Sequence, residues 1–218
     1  MGLLLSDDEC RIAVGLRLGA PITRAHTCRC GTPVAVDGHH GLSCKRSAGR
    51  HIRHSLANDI ILRAFKSADT PAELEPVGLS RSDGKRPDGA TLIPWRHGKC
   101  ALWDFTCPDS LAPSQLIHSS VAGGYAADAA ENRKAAKYHS LIGNHHFYPF
   151  AIETFGAWGP SAIKLSGEIG RQISVRTGEV RATSFFRQRL DVAVQRGNAV
   201  SVRGTANDIV NSSMMLFD

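Results

Sequence analysis

Long apolar runs are missing from this 218-residue chain. None approaches the roughly 20 residues that a helix needs to cross a bilayer, so no membrane-spanning segment is expected. The opening Met1-Gly2-Leu3-Leu4-Leu5 turns acidic at Asp7-Asp8-Glu9 and has no basic start, so no signal peptide is expected. There is no internal repeat and no low-complexity tract, which excludes a solenoid or a disordered polar linker. Cysteine is limited to six residues, of which Cys28, Cys30 and Cys44 cluster while Cys10, Cys100 and Cys107 are scattered. That distribution suits thiols or metal ligands in an intracellular, reducing compartment better than a disulfide framework.

What is present is a hydrophobic fraction of 42% and a formal net charge of +6. The first supports one compact domain with a small appendage, and two full domains would be crowded. The second favours a polyanionic partner, either nucleic acid or an acidic membrane surface.

Residues 6–18 carry a weak helical pattern with Ile12, Leu16 and Val14 on its apolar side. Ser6 and Glu9 are spaced for a capping box, and Gly19 and Pro21 end the segment. Residues 26–46 have little regular pattern and are rich in Cys, His and Gly. From 47 to 66 the pattern is helical, with Ile52, Leu56, Ile60 and Phe65 on one side. Pro71 and Pro76 then break the chain. Residues 88–106 read as a hairpin: a strand from Gly89 to Trp95, a turn at Arg96-His97-Gly98, and a return strand from Lys99 to Thr106. Pro94 makes the first of these an edge strand or irregular. Residues 125–142 form an Ala-rich helix, 146–152 a further strand, and 160–173 and 183–196 two last helices. This order predicts a mixed α/β domain.

Two constellations carry chemistry. Cys28-Arg29-Cys30-Gly31, then His39-His40 and Cys44, offer three thiolates and an imidazole, the donor set of a closed structural zinc site. A segment this short builds no core of its own, so a metal staple makes physical sense. Either His39 or His40 serves as the fourth ligand, with His40 preferred because glycines flank the pair; His26 is an outside candidate. The second constellation is Lys85-Arg86-Pro87-Asp88 before the hairpin and Asp104 on its return strand. A hairpin folding near residue 96 places residues 88 and 104 opposite each other, where two carboxylates could share Mg²⁺. Asp104, flanked by Trp103 and Phe105, needs compensation, by metal or by a buried salt bridge. On the 125–142 helix, Lys134, Lys137 and Tyr138 share a face, with Glu131 on the same side. A solvated basic face is the plain alternative. Arg46, Arg50, Arg53 and Arg63, with Lys45 and Lys66, lie beside the zinc candidate as phosphate contacts, and His51 and His54 are phosphate or solvent contacts. A second patch is Arg181, Arg187, Arg189 and Arg196. Trp95 and Trp158 read as packing residues.

Taken in order, Cys28-x-Cys30, His40-x3-Cys44, Arg53-His54, Arg86-Pro87-Asp88, Asp104 and Lys134-x2-Lys137-Tyr138 resemble the C-terminal region of non-LTR retrotransposon proteins of the R2 type. In that family a CCHC zinc knuckle precedes a restriction-like endonuclease of the PD-(D/E)XK superfamily, and the match runs over about residues 26–155. The resemblance implies an N-terminal helical segment (1–25), a knuckle (26–46), a restriction-like mixed sheet flanked by helices (47–175), and a C-terminal helix and tail (176–218). It implies Mg²⁺ on Asp88 and Asp104, Lys134 as the catalytic lysine with Lys137 and Tyr138 in support, and structural Zn²⁺ on Cys28, Cys30, His40 and Cys44. Arg46, Arg50, Arg53 and His54 would engage DNA, and Glu75 sits where related nucleases offer another acid. The lysine that the wider superfamily carries two residues after the second acid is here Thr106, and the lysine moved onto a later helix accounts for it. The implied activity is nicking of target DNA in the nucleus, the exposed 3′-hydroxyl then priming reverse transcription. The element's RNA is a further partner, no membrane is involved, and the reverse transcriptase region belongs to the full-length polyprotein.

Overall fold

The computed structural model describes residues 2–79, 86–141 and 143–206; Lys85 and the tail beyond 206 lie outside them. Helix α1 (Asp7–Leu18) begins with the expected capping box, in which Ser6 Oγ accepts from Glu9 N at 3.3 Å while Glu9 Oε2 accepts from Ser6 N at 2.9 Å. It stops at Gly19 in the left-handed conformation. A small ribbon, β1 (His26–Thr27) with β2 (Pro33–Val34), and one helical turn, α2 (His40–Ser43), follow. Helix α3 (Ala48–Ser67) is the first long element.

Then come β3 (Ala72–Leu74), β4 (Gly89–Thr91) and β5 (Ala101–Thr106). They are succeeded by the single turn α4 (Leu116–Ser119), α5 (Tyr125–Lys137), β6 (His146–Ala151), α6 (Pro160–Thr177) and α7 (Ala182–Arg203). The main sheet has the order β3-β4-β5-β6, antiparallel across its first two pairings and parallel between β5 and β6. The parallel pair is joined through α5, as a crossover requires. The chain is therefore mixed α/β, as expected. Among the described residues no helix is long and apolar enough to cross a membrane.

Four differences separate the structure from the sequence expectation, and the first two have local causes. Strand β3 occupies the segment between Pro71 and Pro76 where the sequence predicts a break. It is a three-residue strand at the end of the sheet order, where proline is tolerated, and is too short to show alternation. The first hairpin strand is three residues, not seven. Thr91 Oγ1 accepts from Ala101 N at 2.9 Å and donates to Ile93 O at 2.9 Å, and the chain peels away with Leu92 and Ile93 exposed. It rejoins at the Arg96–Lys99 bridge through a turn in which His97 and Gly98 both have positive φ (46° and 72°). The Ala-rich helix ends at Lys137, five residues before its expected end at 142, and a 3₁₀ turn follows at His139–Leu141; Ile142 lies outside the described residues. Helices α6 and α7 run past their expected ends at 173 and 196.

Successive residues of β5 face opposite layers. Trp103 and Phe105, with Phe150 and Ile152, pack against Ile61 and Phe65 of α3, Leu165 and Ile169 of α6, and Phe186, Leu190 and Val194 of α7. On the other side Ala127 and Ala130 of α5 cover Ala151. The fully buried stripe of α3 is Arg53, Ala57, Ile61, Ala64 and Phe65; Ile52, Leu56 and Ile60 are only half-buried. The cause is the close approach of α7: a Cβ on Gly49 would stand 2.2 Å from Ser201 Oγ and 2.5 Å from Gly197 O.

Glu131, grouped with Lys134 by helical spacing, turns inward instead. Its Oε1 accepts from Ala151 N at 3.1 Å and Ala162 N at 3.0 Å, and its Oε2 from Ser161 N at 2.8 Å. The first turn of α6 has no side-chain cap of its own, so this buried carboxylate caps it from another helix. Replacing Glu131 by Ala strands three buried N–H groups and should lower unfolding stability by about 2–4 kcal/mol. Glu131→Gln, which keeps one acceptor oxygen, should lose about half as much. Chemical denaturation of both variants checks this; equal stability of wild type and Glu131→Ala would refute the cap.

Candidate functional site

The β1–β2 ribbon presents Cys28 and Cys30 from its loop, and α2 presents His40 and Cys44 one turn apart on one face. Cys28 Sγ lies 3.7 Å from Cys44 Sγ, and Cys30 Sγ lies 3.2 Å from His40 Nε2. All four ligand atoms fall within 4.8 Å of one another. Tetrahedral zinc with ordinary bond lengths requires sulfur–sulfur edges of about 3.8 Å and sulfur–nitrogen edges of about 3.6 Å, so the cluster could hold a metal such as zinc with small adjustment. Burial pushes the Cys28 thiol up to about 11, and replacing its proton with a cation relieves that cost. The choice between the two histidines is settled by placement. His39 turns to Leu16 O (3.3 Å) and Asp37 (3.4 Å), while His26 Nε2 meets Thr205 Oγ1 at 3.0 Å.

The knuckle is docked on the rest of the molecule. Gly41 packs on the backbone of Ser201 and Val202 in α7, and Arg29 Nε donates to Ala206 O at 3.2 Å. Arg53 reaches it from α3, donating to Leu42 O at 2.8 Å and to Asn198 Oδ1 at 2.6 Å. Arg53 borders the cleft beside the knuckle but is only 2% exposed, and its terminal nitrogens are taken by Leu42 O and Asn198 Oδ1, which corrects the expectation that it grips DNA. Arg46 remains exposed but is directed to the knuckle, donating to Arg29 O at 2.7 Å.

A cleft of about 510 Å³ adjoins the knuckle, lined by Lys45, Arg50, His51, His54, Phe105 and Lys134 among others. The side chains of Lys45, Arg50 and His51 make no hydrogen bond or ion pair among the described residues, so their donors are available to an anion. At the cleft's edge lie the two carboxylates. The β4–β5 register pairs Gly89 with Trp103, which would set Asp88 across from Asp104, as the hairpin argument expected. Beyond that last bridge Asp88 leaves the ladder. Its N–H goes to Trp103 O (3.0 Å), and its Oδ2 takes the Phe105 N–H (2.6 Å) and the His54 Nε2 donor (3.0 Å).

Asp104 is buried, and its Oδ1 is engaged by Lys134 Nζ; the buried salt bridge named as one compensation for this residue is present. The Asp88 hydrogen bond raises the His54 pKa above its usual value against the effect of burial, with Asp104 raising it and Lys134 lowering it further. Asp88, Asp104, Lys134 and His54 thus share one electrostatic neighbourhood.

The remaining predicted residues separate from this group. Tyr138 is buried, its hydroxyl donates to Arg86 O at 2.8 Å and its ring packs 4.8 Å from Phe147. Lys137 Nζ donates to the Tyr138 hydroxyl at 3.1 Å. Both therefore anchor the segment leading into Asp88 and do not line the cleft. Glu75 is occupied by Arg86. In the second basic patch, Arg187 donates to Ser166 and Ile163 O, Arg181 pairs with Glu179, and Arg196 binds the carbonyls of Gly2 and Leu4. Trp95 and Trp158 are packing residues, as read from the sequence. Sequence reasoning missed His54 as the partner of Asp88; its signal, a histidine one turn before Asn58 on a helix, is too common to single out.

No protein-family model and no curated protein matches this chain.

One zinc per chain should be found by elemental analysis. Because the knuckle is clamped to α3 and α7, Cys44→Ser or chelation should lower the melting temperature of the whole domain by roughly 4–8 °C, equivalent to about 2 kcal/mol at this size. A knuckle that melts alone, with the main transition unmoved, would contradict the docking.

Proposed function

We propose that this chain is a magnesium-dependent DNA endonuclease of the restriction-like type. The observation that carries the reading is the grouping of Asp88, Asp104, Lys134 and His54 beside a cleft where the side chains of Lys45, Arg50 and His51 have no partner among the described residues. The four-stranded mixed sheet between helix layers supports the restriction-like architecture. The ordered set of knuckle, Arg86-Pro87-Asp88, Asp104 and Lys134 supports an origin in a non-LTR retrotransposon polyprotein, with its reverse transcriptase region elsewhere in that polyprotein and nuclear DNA as target.

The donor set suits magnesium, which takes one or two carboxylates and completes its shell with water and phosphate oxygens. Asp88 Oδ2 has two donors while Oδ1 has none among the described residues, and Asp104 has a second oxygen beside the one that Lys134 holds. Magnesium, when bound, supplies an activated water and neutralises charge growing on phosphorus. Asp88 and Asp104 would hold it. Lys134 would stabilise the charged phosphoryl group seated against the carboxylates. Lys45, Arg50 and His51 would hold flanking phosphates and so position the strand without reading its bases.

Supercoiled plasmid should be nicked with Mg²⁺ and left intact with EDTA. Asp88→Ala and Asp104→Ala should abolish nicking, and Lys134→Ala should slow it by about 10²-fold or more. Nicking that persists in Asp88→Ala would sink this assignment.

A second reading is a nucleic-acid-binding module with an inert nuclease fold. It is favoured by one observation: among the described residues the Cys28–Cys30–His40–Cys44 group is the sole compact cluster of three or more metal-ligating side chains. Binding without nicking would select it. In either case Lys45→Ala and Arg50→Ala should each reduce the slope of log K against log salt by about 0.9 per lost phosphate contact on duplex DNA. Arg53→Ala should lower stability and leave that slope unchanged.

A further inference from the structure

Hydrogen-bond direction at the edge of the cleft can be followed residue by residue. Trp103 lies on β5 beside Asp104, and its indole is held by stacking on Phe65, with centroids 5.2 Å apart. A Cβ on Gly89 would meet that ring at 2.0 Å, so only glycine lets β4 pass over it. The indole N–H is a donor only, and it lies 2.9 Å from Asn58. The atom it meets must therefore be the amide oxygen, which turns the Asn58 NH₂ toward the other side.

There, 3.3 Å away, is His54 Nδ1, one helical turn earlier on α3. An amide NH₂ donates and does not accept, so Nδ1 serves as the acceptor and carries no proton. The neutral ring must then hold its proton on Nε2, which faces Asp88 Oδ2 at 3.0 Å. The edge of the His54 ring packs on Phe105, 6.0 Å between centroids, and the Phe105 N–H supplies the second donor to the same oxygen at 2.6 Å.

We propose that His54 is a positioning residue for Asp88: the Trp103–Asn58 pair locks its imidazole as the Nε2–H donor, which pins Asp88 Oδ2 and presents Oδ1 to a divalent cation. The relay rests on hydrogen-bond direction alone; the cation rests on the nuclease reading. Pinning one carboxylate oxygen leaves the other in a single orientation, as outer-shell donors do for ligands of known metal sites. His54 then belongs with the carboxylates and not with the phosphate contacts.

The test uses the zinc-loaded full chain with ¹⁵N-labelled histidine at pH 8.5. His54 should show the Nε2–H tautomer, and Asp88→Asn should shift both of its ring nitrogens. An Nδ1–H tautomer, or a His54 signal indifferent to Asp88→Asn, overturns the relay. Because Asn58 is buried and its variants risk misfolding, the second arm changes His54, which is partly exposed. Calorimetric titration with Mg²⁺ should show His54→Ala binding about 10–100-fold more weakly, with His54→Gln restoring part of the loss through its amide donor. Unchanged affinity in His54→Ala overturns the positioning role. No Mg²⁺ binding by the wild type overturns the nuclease reading and the cation half of the proposal, and the tautomer then judges the relay by itself.

Discussion

The Arg53 guanidinium joins the parts of this molecule to one another. It projects from α3 into the gap against α7, touches the knuckle through Leu42 O, and meets Asn198 Oδ1. Asn198 passes the connection on, donating to Thr154 O at 2.7 Å, and Thr154 Oγ1 accepts from Ser110 N at 3.1 Å. A buried cation is costly unless it is hydrogen-bonded; Arg53 Nε is buried without a partner, so the bonds of its two terminal nitrogens carry the compensation and constrain the groups that accept them. The consequence is a knuckle, a helix pair and the loops after β5 and β6 that sit in one arrangement. The small residues Gly49, Gly197 and Ser201 make that arrangement possible by letting α3 and α7 approach closely.

That constraint also sets up the cleft. Lys45 directly follows Cys44 of the Cys/His cluster, and Arg50, His51 and His54 are carried on the first turns of α3, which Arg53 holds against the knuckle. The Cys28–Cys30–His40–Cys44 cluster and the cleft are therefore neighbours by covalent continuity as well as by packing. Charge at the cleft falls into two groups. Lys134 compensates buried Asp104, His54 compensates Asp88, and the cations nearer the knuckle have no carboxylate partner among the described residues. An anion entering the cleft would meet the unpaired cations and the carboxylate pair side by side.

Glu131 and Tyr138 illustrate how helical spacing misleads about function. Residues 131, 134 and 138 occupy one side of α5 and its end, yet one caps α6, one pairs with Asp104 and one anchors Arg86. Each is directed by what packs against its own turn of the helix, and α5 is edged by three different elements over these residues.

Local chemistry determined much by itself. The capping box of α1, the existence of the return strand, the mixed α/β order, the donors Cys28, Cys30 and Cys44 with one of the adjacent histidines, and the cross-strand relation of residues 88 and 104 all follow from short-range spacing. Neighbours in sequence decide these through backbone geometry and the reach of one side chain. Tertiary structure decided His40 over His39, the burial of Arg53, the short β3 between two prolines, and the turn of Glu131 toward α6. It also decided that Trp103, Asn58 and His54 form a line to Asp88. Each of these depends on which other segment a residue meets in the folded chain, β4 for β3, the β1–β2 loop for His40, α7 for Arg53 and the start of α6 for Glu131. Spacing along the chain carries no record of that partner, because a helix face is specified by its own residues whereas its burial is specified by what covers it.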